Sequence, residues 1–135
     1  MRFEIQNKTA YYGSGSGASV DGQPIVFVHG AGFDHTVWVL PARYFARKGY
    51  RVVAFDLPGH GRSEGPALTS VEAMSDWISE ASEKLGLKDI VVVGHSMGSL
   101  IAYCLAAQKP DLVTKMVLLG TSSPMPVTNL LLDAA

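Results

Sequence analysis

Residues Asp89–Gln108 read "DIVVVGHSMGSLIAYCLAAQ", and the reading of this stretch decides the fold. "DIVVVG" is a short apolar, β-branched run of strand length, and "SMGSLIAYCLAAQKP" is a helical segment stopped by Pro110. Between them Gly94, His95, Ser96, Met97 and Gly98 spell G-x-S-x-G. Five letters recur by chance, but a strand directly before and a helix directly after place the serine on a sharp strand-to-helix turn. The two glycines let the backbone bend and let helix and strand approach closely. Ser96 would then stand at the C-terminal edge of the sheet, where open α/β folds bind their ligands. The blander reading makes Ser96 only an N-terminal helix cap, a role that needs no glycine on either side.

Outward from this stretch the chain alternates. Arg2–Gln6 and Lys8–Tyr12 read as a hairpin, followed by the turn-rich "GSGSGASVDGQP". Gly13, Gly15 and Ala18 satisfy a loose dinucleotide fingerprint, but Asp21, Gly22 and Pro24 prevent the helix that a pyrophosphate would need. "PIVFVHG" is a strand ended by Gly30, and "TVWVLPARYFARKGY" a helix with Pro41 near its start and Gly49 as C-terminal cap. "RVVAFD" is a strand. "TSVEAMSDWISEASEKLG" is a helix with Thr69 and Glu72 as a capping-box pair. Its apolar stripe is Val71, Met74, Trp77, Ile78, Ala81 and Leu85, and Gly86 closes it. "TKMVLLG" is a further strand, and "TSSPMPVTNLLLDAA" a Pro-punctuated loop leading into the first turns of another helix. Strands apolar on both faces and alternating with helices predict an α/β fold, a mostly parallel doubly wound sheet opened by a β-hairpin. Residues 1–135 read as a single partial domain.

Composition narrows the function classes. The 135 residues are 47% hydrophobic and 17% charged, with a net charge of −1 and no run of Lys or Arg. Neither nucleic-acid binding nor membrane attachment is expected. The single cysteine, Cys104, sits in an apolar helix and excludes an internal disulfide. "MRFEIQNKTA" has no long apolar run, so a cytoplasmic protein is expected. No residue spacing suggests a metal site, and no cofactor is expected.

Three stretches together resemble the α/β-hydrolase family over nearly the whole chain. "HGAGFDHTVW" (His29–Trp38) is similar to the family's oxyanion loop, "DLPGHGRS" (Asp56–Ser63) to the turn after its fourth strand, and "GHSMGS" to its nucleophile elbow. Small-molecule esterases, enol-lactone hydrolases, C–C bond hydrolases and haloperoxidase-like enzymes look most alike. The resemblance implies Ser96 as nucleophile and an oxyanion hole made by the Met97 N–H with a second N–H from Ala31 or, alternatively, Gly32.

The remaining histidines read as structural. His29 should fix its loop, His60 should orient a turn, and His95 should point away from the serine, while His35 is the one unorthodox base worth testing. Asp56 should accept backbone N–H bonds. The family's acid and histidine follow its serine, yet after Ser96 only Asp111 and Asp133 are acidic and no histidine occurs. Asp111, at a helix end, should lie at the opposite sheet edge. The chain therefore reads as a hydrolase core truncated after about the sixth strand, inactive or nearly so by itself. Its last strand would leave an apolar edge open to a second copy or a complementing chain. A non-catalytic ligand-binding module is the alternative.

Overall fold

The computed structural model describes residues 1–17 and 19–122. The strands are β1 (Arg2–Ile5), β2 (Lys8–Gly13), β3 (Pro24–Val28), β4 (Arg51–Asp56), β5 (Ile90–His95) and β6 (Val113–Leu119). The helices are α1 (Val39–Arg47), α2 (Val71–Lys84) and α3 (Met97–Gln108). One six-stranded sheet runs β1-β2-β4-β3-β5-β6. The N-terminal hairpin is antiparallel to itself and to β4, whereas β4, β3, β5 and β6 are mutually parallel.

Strand periodicity explains why the inner strands are apolar throughout. Val26, Val28, Val53, Phe55 and Val92 face one way, into a core shared with α2 and α3. Ile25, Phe27, Val52 and Ala54 face the other way, against Trp38 and Ala42. Each fully buried large side chain, Phe27, Phe55 and Ile78 among them, contributes about 1.5–3 kcal/mol relative to exposure. The α2 stripe is in place: Met74, Trp77, Ile78 and Ala81 are buried, with Val71 and Leu85 at its ends. Gly49 and Gly86 have φ of +91° and +66° at the ends of α1 and α2, as their capping role requires.

Two local expectations are corrected. Ser70, not Thr69, caps α2: its side chain accepts the Ala73 N–H at 3.0 Å, and Thr69 and Glu72 do not form the expected pair. The segment expected as one helix from Thr36 begins instead as a 3-10 turn, His35–Trp38, whose N-cap is Asp34. The rejected dinucleotide loop has a packing purpose. A side chain on Gly15 would strike the Ala42 carbonyl, and one on Gly17 the Ala46 methyl, so these glycines let the loop lie against α1. Asp133 and the expected terminal helix turns lie outside the described residues. Among the described residues no helix is long and apolar enough to cross a membrane.

Candidate active site

Ser96 is the turn residue between β5 and α3, with φ 55° and ψ −121°. A non-glycine residue there is strained, and such strain persists only where its surroundings enforce it. Those surroundings are visible. A side chain on Gly94 would collide with the Gly98 carbonyl, and one on Gly98 with the carbonyls of Val28 and His29. Both positions therefore require glycine because α3 starts in backbone contact with the strands. The Ser96 N–H joins the parallel ladder by donating to the Leu119 carbonyl at 2.9 Å. Its side chain makes no helix-capping hydrogen bond, which removes the reading of Ser96 as a simple cap.

Ser99 completes the brace. Its amide and its hydroxyl both donate to the Ser96 carbonyl, at 2.9 and 2.5 Å, and the residue is fully buried. Sequence reasoning missed it. The signal was a hydroxyl one helical turn after the serine, on the face that packs against the sheet. Met97 opens α3, so its amide belongs to the helix N-terminus, where unpaired N–H groups and the dipole favour negative charge.

The loop after β3 supplies the facing wall. A side chain on Gly30 would come within 3.3 Å of the Ser96 Cβ and of the His95 carbonyl, so the two loops touch here. Ala31 and Gly32 follow, both exposed, with Gly32 at φ +73°. His29 anchors the loop. Its Nε2 accepts the Leu57 N–H at 3.1 Å, so the proton sits on Nδ1, which donates to the Gly30 carbonyl at 2.7 Å. Burial pushes its pKa below the ordinary 6.5, outweighing the opposing effect of the Gly30 carbonyl.

His60 uses Nδ1 on the Pro58 carbonyl at 3.1 Å, its ring 5.0 Å from that of His29. His95 ends β5 and lines a cleft with Phe33, Val37, Trp38 and Leu119. Asp56 is fully buried and accepts the His35 N–H at 2.7 Å and the Arg62 N–H at 2.9 Å. Its Oδ1 also meets His35 Nδ1 at 2.8 Å, a pairing that looks like half of an acid–base relay. That pair is remote from Ser96. The His35 ring packs on Tyr11 of β2 at 4.9 Å, and β2 lies three strand steps from β5, about 14 Å at ordinary spacing. His35 is thus held by Asp56 at the β2 side of the sheet. Asp34, His35 and Asp56 hold atoms of metal-ligand type within 4.8 Å of one another, a grouping the sequence spacing did not suggest. Hydrogen bonds account for them: Asp34 Oδ1 accepts the Thr36 amide and hydroxyl at 2.8 and 2.6 Å. Asp111 precedes β6, at the sheet edge opposite Ser96.

A family model described as the alpha/beta hydrolase fold matches residues 23–135. The chain belongs to this family. Among relatives of this alpha/beta hydrolase is (E)-2-((N-methylformamido)methylene)succinate hydrolase of Acinetobacter baylyi, 37% identical over 84% of the chain and 42% of the relative. Another is a non-heme chloroperoxidase of Streptomyces lividans, 35% identical over 81% of the chain and 40% of the relative. Among solved structures, Est816, described as an N-acyl homoserine lactone degrading enzyme, superposes with a TM-score of 0.80 at 30% identity. That match covers 93% of the chain and 49% of the Est816 chain. The chain thus spans less than half the length of each of these three proteins.

Proposed function

We propose that this chain carries the nucleophile half of a serine hydrolase acting on a small-molecule ester, lactone or similar carbonyl. The observation that supports the reading most is the strained backbone of Ser96, held between two obligatory glycines at the mouth of a helix. Ser96 Oγ attacks the carbonyl, and the developing oxyanion is held by the Met97 N–H and a second N–H from Ala31, with Gly32 as the alternative donor. Water then releases the acyl group. Each such donor accounts for roughly 10²–10³-fold in turnover. Two of the relatives, a substituted-succinate hydrolase and an N-acyl homoserine lactone degrading enzyme, support a carbonyl substrate without choosing between an amide-like and a lactone one.

No histidine follows His95 in the sequence, and His35 packs on Tyr11 of β2, three strand steps from β5. The general base is therefore supplied from outside these 135 residues, and the chain alone turns over little or no substrate. Intact mass before and after a fluorophosphonate probe tests this. The expected result is slow formation of a single adduct, accelerated by added imidazole and lost in Ser96→Ala. Labelling that persists in Ser96→Ala overturns the nucleophile. Robust ester hydrolysis by the 135-residue chain alone overturns its dependence on an outside base.

A further inference from the structure

The outward face of α1 combines exposed apolar side chains with cations. Trp38, Ala42 and Phe45 turn toward the sheet, which leaves Leu40 and Tyr44, one helical turn apart, on the opposite side. Their exposures are 79% and 58%, unusual for side chains of this size. Arg43, Arg47 and Lys48 flank them, forming with Leu40 and Tyr44 a shallow groove that contains no acidic residue. Lys48 Nζ lies 5.6 Å from the centre of the Tyr44 ring, so cation and aromatic occupy one patch. From Thr36 to Phe55 the sequence has no Asp or Glu.

The other side of the sheet is its electrostatic opposite. Helix α2, which packs on the face away from α1, exposes Glu72, Asp76, Glu80 and Glu83 against one cation, Lys84. A protein with a net charge of only −1 is thus polarised across its sheet. Such a dipole orients at an anionic surface with α1 inward and α2 outward.

We propose that the α1 face is a docking surface for an anionic lipid–water interface. Leu40 and Tyr44 enter the headgroup region, Arg43 and Arg47 keep their stems on the apolar patch with their guanidinium groups at lipid phosphates, and Lys48 adds a third cation. An acidic protein would satisfy the cations but has no need of an outward Leu40. An apolar partner would satisfy Leu40 and Tyr44 but would leave three cations buried without counter-charge.

Flotation of the 135-residue chain with phosphatidylcholine vesicles, with and without one-quarter phosphatidylglycerol, tests this without any need for turnover. The expected result is binding only to the phosphatidylglycerol vesicles at low salt, largely lost at high salt. Each of Arg43→Glu and Arg47→Glu should weaken binding by about fivefold or more, and Leu40→Asp should weaken it as well. Glu83→Gln, on the far face, should leave binding unchanged. All four positions are exposed, and circular dichroism verifies the fold of each variant. Absence of binding to phosphatidylglycerol vesicles overturns the proposal, as does binding indifferent to the α1 variants. Capture by poly-glutamate without vesicle binding overturns it in favour of an acidic polypeptide partner.

Discussion

A single imidazole shows how one residue can set a loop and a pH dependence together. His29 is fully buried and uses both ring nitrogens, one accepting from Leu57 and one donating to Gly30. A second proton would place an N–H against the Leu57 N–H, so the folded state resists protonation and its pKa is lowered. Below the unfolded value of 6.5 the unfolded chain takes up a proton that the folded chain refuses. Stability should therefore be level above about pH 6.5 and should decline as pH falls from there toward the folded pKa. Urea unfolding at stepped pH values should show that decline, and His29→Asn should flatten it. An unchanged slope in the variant would assign the decline to other groups. The sequence supported a structural His29, because a histidine ending a buried strand has to find partners. It did not identify Leu57 as the partner, since that contact joins two strands 28 residues apart.

Elements were legible where a periodic signal ran long, and less so at their ends. The α2 stripe and its closing glycine were explicit, but two hydroxyls in succession, Thr69 and Ser70, offered rival caps. A capping-box spacing favoured Thr69, whereas the backbone enters the helix one residue later, with extended dihedrals at Ser70. Ser70→Ala should therefore cost about 1 kcal/mol, while Thr69→Ala should cost well under that. Thermal or urea unfolding of the two variants separates them, and equal losses would contradict the observed cap. The α1 segment shows a different limit. Asp34 competes for the chain by capping a 3-10 turn, a local hydrogen-bonding choice that apolar periodicity does not register. The serine turn was the most legible feature because its glycines, strand and helix agree. Ser99 escaped because a buried hydroxyl has no pattern of its own.

At the scale of the molecule, alternation of strand and helix implied a parallel sheet, while the strand order and the distribution of charge emerge only on folding. Arg43, Arg47 and Lys48 are not a run in the sequence; helical geometry gathers them on one face, and the expectation of no membrane contact rested on their dispersal. The β6 edge was foreseeable from "KMVLLG", an inner-strand composition with no later strand among the described residues to cover it. Met116, Val117 and Leu119 are 42%, 44% and 43% exposed there. By the register with β5, Val117 lies beside the half-buried Val93, on the sheet face that only α1 covers among the described residues. Open backbone donors and acceptors together with exposed β-branched surface favour pairing with another strand. The 135-residue chain should therefore sediment faster than a monomer at high micromolar concentration and return to the monomer on dilution. Val117→Lys places a charge on the edge without touching the serine turn, and it should hold the chain monomeric at all concentrations. A parent chain that stays monomeric throughout would mean that this edge is protected by means other than pairing between copies.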